Sequence, residues 1–97
     1  MGDINYLGST VKILEKPRQT TISDKIVKTE IRAQLPQTRK NQIVYLVFWG
    51  NLARDASNYY QVNDYIMIEG YLSVSSKITK QNLKKAQITV LKLYSIK

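Results

Sequence analysis

The sequence predicts an all-β fold that is interrupted by one short helix. Apolar residues recur with a period of two through most of the chain, which is typical of strands. A single stretch, residues 51–60, has helical spacing instead. Because 97 residues suffice for one domain with one modest core, we expect residues 1–97 to form a single domain.

Five strands are expected, bounded by polar or Pro-containing stretches: residues 4–14, 21–35, 43–49, 65–75 and 86–96. Gly8 predicts a bulge or bend in the first strand, and the length of the second predicts a bent or bulged strand. Gly70 predicts a close approach or a sharp bend in the fourth strand. The third strand is apolar on both faces, so either both are buried or one meets something other than water.

The predicted helix follows the third strand directly. Asn51 is a suitable N-cap residue, and Asn63 is suited to a positive φ in the turn that follows the helix. One apolar stripe is expected along the helix, formed by Leu52, Ala53, Ala56, Tyr59 and Tyr60. Because the helix is short, its stability must come from packing.

Three strands, one helix and two strands is the element order of the OB-fold, a partly open five-stranded Greek-key barrel. OB-folds bind oligonucleotides on the face of strands 2 and 3 and with the loops that join strands 1–2 and 4–5. Here the predicted 1–2 loop contains Lys16 and Arg18, and the predicted 4–5 loop, residues 76–85, contains four lysines. The basic residues thus lie where this fold would use them.

The charge is concentrated toward the end of the sequence. The formal net charge is +8, and residues 71–97 contain six Lys and no Asp or Glu. This segment is either a solvated basic surface or an edge that binds a polyanion, since lysines gain affinity for phosphates by releasing counterions. A membrane surface is a weaker alternative, because no amphipathic helix accompanies the lysines.

Composition argues against an enzyme. There is no Cys and no His, which removes disulfides, thiolate chemistry, the usual zinc sites and His-based triads. The seven acidic residues are scattered, and no apolar run approaches the roughly 18 residues that span a membrane. We expect no catalysed reaction, no cofactor, no metal, no small-molecule substrate and no membrane association.

Residues 48–72, FWGNLARDASNYYQVNDYIMIEGYL, resemble the most recognisable segment of the bacterial and plastid single-stranded DNA-binding proteins. The positions that match without a gap are Gly50, Leu52, Ala53, Tyr59, Glu69, Gly70 and Leu72. The resemblance implies sequence-independent binding of single-stranded DNA in replication, repair or recombination. It also implies a homo-oligomer, since family members usually form tetramers built from dimers whose first strands pair.

Trp49 is the central candidate for base contact, because it stands where the family has a Phe that stacks on a base. Base stacking on an aromatic ring is worth roughly 1–3 kcal/mol and tolerates any sequence. The alternative for Trp49 is a structural residue at a barrel end or an interface. Two further aromatic residues are candidates for contact with bases: Tyr45 and Tyr71. Six basic residues are candidates for contact with phosphates: Arg39, Lys40, Lys77, Lys80, Lys84 and Lys85.

Several positions depart from the family. Ile43 stands where a Trp is frequent, Asn51 and Val62 replace lysines, and "SVSS" (73–76) replaces a basic stretch. From the end of the sequence we also expect no acidic tail of the kind that recruits partner proteins in the family. These departures predict a binding face with fewer stacking and basic residues than is usual in the family. Two alternatives stay open. One is an oligomeric adaptor of the primosomal type with little or no nucleic-acid binding, and the other is a protein that binds single-stranded RNA.

Composition also suggests a compartment. The chain is rich in Ile, Lys, Asn and Tyr, whose codons are A/T-rich, and it begins with neither a secretory signal nor a transit peptide. We therefore expect a plastid-encoded protein located in the plastid, although the cytoplasm of an A/T-rich bacterium fits equally well.

Overall fold

The computed structural model describes residues 5–36, 42–78 and 84–95. Within these ranges it contains six strands and one helix: β1 (Asn5–Ile13), β2 (Arg18–Ser23), β3 (Ile26–Leu35), β4 (Gln42–Trp49), α1 (Asn51–Tyr59), β5 (Tyr65–Ile78) and β6 (Lys84–Ser95). No helix of the described part of the chain is both long and apolar enough to cross a membrane.

The strands form one sheet that closes on itself. Their order is β1-β5-β6-β4-β3-β2, and β1 also pairs with β3 at Lys12 and Ile13. Among the pairings of the described strands, β4–β6 is parallel and the others are antiparallel. This confirms the predicted all-β OB-fold, with the helix between β4 and β5 and with six strands instead of five.

The additional strand arises because the predicted second strand is a hairpin. β2 and β3 are antiparallel neighbours joined by a turn at Asp24–Lys25, with an irregularity in the register between Thr21 and Ser23. All six residues of β2 are exposed, so its sequence carries no alternation of buried and exposed positions. Arg18 therefore lies in a strand and not in the loop where it was predicted.

The hairpin of β5 and β6 is longer than predicted. β5 continues to Ile78, and Ile78 pairs with Lys84 at the start of β6. The prediction of a loop is therefore wrong at residues 76–78 and 84–85, which belong to strands, whereas residues 79–83 lie outside the described chain. The polar composition of this stretch predicted a loop, but backbone pairing between β5 and β6 extends as far as Ile78 and Lys84.

Two glycines have different roles in the sheet. Gly8 pairs with Glu69 in an unbroken β1–β5 register, so of the predicted bulge or bend at Gly8 the bulge is excluded. At Gly70 the predicted close approach is confirmed, since a Cβ built there would lie 2.1 Å from the carbonyl oxygen of Thr89 on β6. Only glycine allows β5 and β6 to approach this closely.

The barrel core is built from alternate residues of the strands. On β4, Val44, Leu46 and Phe48 are fully buried, as the alternation predicted for one face. On β5, Ile66 and Ile68 are buried beside them. Val47 is also buried, so the outward face of β4 is covered at its centre and exposed toward its ends.

The helix is capped by the backbone and not by Asn51. Gly50 has a φ of 62°, and its carbonyl oxygen accepts a hydrogen bond from the Arg54 N–H at 3.2 Å. The predicted Asn51 cap is therefore wrong, because the positive φ at Gly50 turns the chain one residue earlier. Asn63 has the predicted positive φ, 76°.

Packing of α1 uses a narrower stripe than predicted. Ala53 and Ala56 are buried, and Leu52 and Tyr60 are partly buried against the core, as predicted. Tyr59 is 71% exposed and does not belong to the stripe. The buried Thr29 hydroxyl on β3 donates a hydrogen bond of 2.7 Å to the Ala53 carbonyl oxygen. This bond fixes the helix against the strand that precedes β4.

Candidate nucleic-acid interface

The outward side of β3 and β4 brings aromatic and basic residues together. The antiparallel register places Lys28 opposite Trp49 and Arg32 opposite Tyr45. Residues directly opposite each other in such a pair point to the same side of the sheet. We call these four residues the Trp49 face.

Trp49 is an exposed ring at the end of β4. It is 44% exposed, whereas the preceding Phe48 is fully buried. The Lys28 Nζ lies 5.5 Å from the centroid of the Trp49 ring, within the range of a cation–π interaction. Trp49 is therefore not a core residue: its ring lies on the surface, with the Lys28 ammonium over one of its faces.

Acidic residues partly balance the cations of the Trp49 face. The Lys28 Nζ is 3.5 Å from the Glu30 Oε1, and the Arg32 Nε is 3.7 Å from the Glu15 Oε2. All four side chains are partly exposed, so each pair is worth no more than about 1 kcal/mol and is screened by salt. The Glu30 carboxylate can therefore be exchanged for a phosphate at small cost, whereas the Arg32 Nε that faces Glu15 is itself buried.

The structure brings Trp49 and Tyr45 together but places Tyr71 elsewhere. Tyr45 is half-buried on the same side of β4 as Trp49. Tyr71 lies on β5, which is separated from β4 by β6, and its ring packs against Tyr6 with centroids 5.2 Å apart. Tyr71 thus belongs to a different part of the surface.

The predicted phosphate contacts lie at or beyond the edges of the described chain. The backbones of Lys77, Lys84 and Lys85 lie in β5 and β6, close to the pair formed by Ile78 and Lys84. Arg39, Lys40 and Lys80 fall outside the described residues. These six contacts stay predictions.

Lys28 and Arg32 are two candidate contacts that the sequence interpretation missed. It searched for runs of basic residues and basic loops, whereas these two residues alternate with apolar ones inside a strand. Period-two alternation over residues 26–35 places them on one face. Their partners on β4 are set by the register between β3 and β4. This register depends on the length of the loop between the two strands, so the sequence of one strand alone does not predict it.

A second surface exposes aromatic residues around a carboxylate. Tyr6, Met67, Tyr71 and Tyr94 are exposed on β1, β5 and β6. The Tyr6 hydroxyl donates a hydrogen bond of 3.0 Å to the Glu69 Oε1, and the Tyr94 hydroxyl donates one of 2.7 Å to the Glu69 Oε2. We call these five residues the Tyr71 face.

The hydrogen bonds of the Tyr71 face shift three pKa values. The bond from Tyr94, followed by that from Tyr6, lowers the pKa of Glu69 below its ordinary value of 4.5. The bond to Glu69 raises the pKa of Tyr94 above 10.0, and desolvation followed by the bond to Glu69 raises that of Tyr6. At neutral pH this face therefore carries an ionised carboxylate between neutral tyrosines.

Neither surface has the composition of a metal site. In the described ranges of the chain, no group of three or more His, Cys, Asp or Glu residues could hold a metal ion.

The chain was compared with known families, with curated proteins and with solved structures. No family model matches the chain. A curated relative, the ycf41 protein of Trieres chinensis, bears the provisional name of a single-stranded DNA-binding protein. The two sequences are 44% identical over 80 residues, which cover 78% of this chain and 71% of the relative.

Solved structures of similar shape support the fold. The SSB domain of a Synechococcus sp. protein has a TM-score of 0.78 at 21% identity, covering 97% of this chain and 98% of that one. The second single-stranded DNA-binding protein of Mycobacterium smegmatis, SSBb, has a TM-score of 0.79 at 17% identity, covering 96% and 89%. Together with the identity and coverage of ycf41, this shows that the chain belongs to the family of single-stranded DNA-binding proteins.

Proposed function

We propose that the chain binds single-stranded DNA without sequence preference, in replication, repair or recombination. One observation carries this proposal: the exposed Trp49 ring lies next to the Lys28 ammonium, on the same face as Tyr45 and Arg32. The name of the relative ycf41 supports it. The proposal includes no catalysed reaction.

Binding combines stacking with phosphate contacts. A base stacks on Trp49, which is worth roughly 1–3 kcal/mol and is independent of sequence because every base has a π-face. Tyr45 offers the next ring along β4, and Lys28 and Arg32 contact the phosphates on either side. The predicted contacts Arg39, Lys40, Lys77, Lys80, Lys84 and Lys85 extend this positive track. Each phosphate contact releases counterions, so binding weakens as salt rises.

Self-association is part of the proposal. β1 pairs with β5 over Asn5–Lys12 but with β3 only at Lys12 and Ile13, so in the described chain its other edge has no strand partner over residues 5–11. An open strand edge is a template for pairing with a second copy. The Tyr71 face continues from this edge and offers apolar area. Sedimentation velocity, which gives the mass of the assembly, tests for the homo-oligomer.

The compartment and the domain organisation complete the proposal. We place the protein in the plastid, where ycf genes such as that of the Trieres chinensis relative are encoded. We also keep residues 1–97 as one OB-fold domain.

Emission from Trp49 tests the proposal, because it is the only Trp in the chain. The protein is titrated with an oligothymidylate of about 35 nucleotides at low salt and again near 0.2 M salt. We expect strong quenching at low salt. If only Lys28 and Arg32 contact phosphates, we expect affinity to fall about sevenfold between roughly 50 mM and 0.2 M salt, and each of the six predicted contacts that also binds makes this fall steeper.

Trp49→Ala provides the matched measurement, with a labelled oligonucleotide as the reporter. We expect affinity to fall about five- to hundredfold, which corresponds to the loss of one stacked base. Absence of quenching together with a blank mobility-shift assay would leave the adaptor alternative. Binding without quenching would keep the function and make Trp49 structural. Tighter binding of RNA than of DNA of equal length would favour the RNA alternative.

A further inference from the structure

A cleft of about 300 Å³ lies where β1 closes the barrel onto β3. Its walls come from three separate elements: Thr10 and Lys12 of β1, Gln34 and Pro36 at the end of β3, and Tyr65 at the start of β5. This volume is at the lower end of the range for small-ligand sites. None of these residues belongs to the Trp49 face.

The chemistry of the cleft suits a nucleotide. The Lys12 Nζ lies 5.9 Å from the centroid of the Tyr65 ring, and Tyr65 is 56% exposed. Lys12 is in register with Tyr65 on one side and with Gln34 on the other, so the three side chains share the outward side of the barrel. The cleft thus combines an exposed ring, a cation, an amide and a hydroxyl.

The cleft also continues from the Trp49 face. Gln34 is opposite Ile43 on β4 and opposite Lys12 on β1, so it links the two surfaces. Lys28 and Gln34 are six residues apart on β3, which is about 20 Å in a strand. Stacked nucleotides at about 3.4 Å each would cover this distance with about six, within the 4–16 nucleotides that an OB-fold binds.

We propose that this cleft is a second nucleotide subsite, in which a base lies against Tyr65 and its phosphate contacts the Lys12 ammonium. The Gln34 amide and the Thr10 hydroxyl offer hydrogen bonds to the sugar or the base edge. The inference rests on the proposed function, since the nucleotide belongs to the strand that is bound at Trp49. A strand that is long enough contacts both sites, whereas a trinucleotide contacts only one.

The experiment compares two lengths of oligothymidylate, a trinucleotide and one of about 12 nucleotides. Binding is followed by Trp49 quenching for wild type, Tyr65→Ala, Tyr65→Phe and Lys12→Gln. Tyr59→Ala is the matched control, because Tyr59 is also an exposed tyrosine but lies on α1. Thermal melting and sedimentation velocity check that each variant keeps its fold and its assembly.

We expect Tyr65→Ala to weaken the longer strand about five- to tenfold, the low end of the effect of one stacked base, and to leave the trinucleotide unchanged. Tyr65→Phe should keep wild-type affinity, because the ring is retained. Lys12→Gln should lower the salt dependence of the longer strand by about 0.7 in its logarithmic slope. A purely structural role for Tyr65 and Lys12 would change neither the length dependence nor the salt slope.

Two results would overturn the inference, and they differ from failure of the proposed function. Normal quenching with unchanged affinity of Tyr65→Ala for the longer strand would reject the cleft and keep the Trp49 site. If wild type shows no quenching with either strand, titration with free thymidine monophosphate followed by amide NMR shifts decides. Shifts at Thr10, Lys12, Gln34 and Tyr65 would make the cleft a site for free nucleotides, and unchanged shifts would reject it.

Discussion

The Trp49 face and the Tyr71 face both expose aromatic rings, but they differ in the charge that the rings contact. On the Trp49 face, an ammonium group lies over the ring at 5.5 Å. On the Tyr71 face, two tyrosine hydroxyls donate hydrogen bonds to the Glu69 carboxylate. The first arrangement attracts a polyanion, and the second places a negative charge where phosphates would have to pass.

This difference shows that exposed aromatic residues alone do not identify a nucleic-acid interface. Stacking supplies affinity only if the backbone phosphates that accompany the base are also accommodated. In the sequence analysis Tyr71 and Trp49 are both candidate base contacts, with Tyr71 on the face of Glu69. The structure separates them, since Tyr71 packs on Tyr6 beside a carboxylate. A base contact at Tyr71 therefore stays a prediction.

The largest expected effect is on the stability of the fold, where β5 and β6 approach each other closely. β6 lies between β5 of the Tyr71 face and β4 of the Trp49 face. In Gly70→Ala, the new Cβ would lie 2.1 Å from the Thr89 carbonyl oxygen, so the strands must separate. We expect a loss of about 3 kcal/mol or more in the free energy of unfolding, and a melting temperature lower by about 10 °C or more.

Gly8→Ala is the matched control on β1. Its Cβ would lie 3.4 Å from the Glu69 Cγ, a flexible side-chain atom, and the substitution restricts the unfolded chain. We expect a change within about 1 kcal/mol. Equal melting temperatures for the two variants would contradict the close approach at Gly70.

An intermediate effect comes from the same charge reversal placed on the Trp49 face and next to the Tyr71 face. Lys28→Glu removes a phosphate contact and puts a carboxylate opposite Trp49, so we expect affinity for single-stranded DNA to fall about tenfold or more at low salt. Lys92→Glu makes the same change on β6, where Lys92 is in register with Glu69. There we expect a change within about threefold. Equal losses would mean that net charge, and not the Trp49 face, governs binding; fluorescence anisotropy measures both.

The smallest expected effect is the pH dependence of the Tyr71 face. Because the pKa of folded Glu69 is lowered, its stabilising contribution is present above the ordinary value of 4.5 and is lost as pH falls through the lowered value. The melting temperatures of wild type and Glu69→Gln should therefore differ most near pH 7, and the difference should shrink as pH falls below about 4. A constant difference down to pH 3 would contradict the assignment. DNA affinity at pH 7 should be unchanged by Glu69→Gln.

Local patterns were sufficient to predict much of the fold. Alternation separated the two sides of β4, although it left open which is buried, and residue chemistry identified the positive φ of Asn63 and the close approach at Gly70. β2 was missed because an entirely exposed strand has no alternation of burial. The helix cap was misplaced because Gly50 acts through its backbone, which leaves no side-chain signature.

The candidate site was less predictable, because its contacts join distant segments. Trp49 and Tyr45 were found from one strand and one resemblance. Their partners Lys28 and Arg32 depend on the β3–β4 register, which one strand alone does not specify. The pairing of Lys12 with Tyr65 joins residues 53 positions apart in sequence, and only the closed barrel brings them together.

The position of β6 has a consequence for the synthesis of the chain. β6 lies between β5 and β4 in the sheet and contributes Ile88 and Val90 to the core. Among the described strands, β6 is the last to leave the ribosome, so β4 and β5 have no β6 between them until residues 84–95 have been translated. The barrel therefore closes only after this strand has been translated, and the apolar side of β4 requires protection from aggregation for that interval.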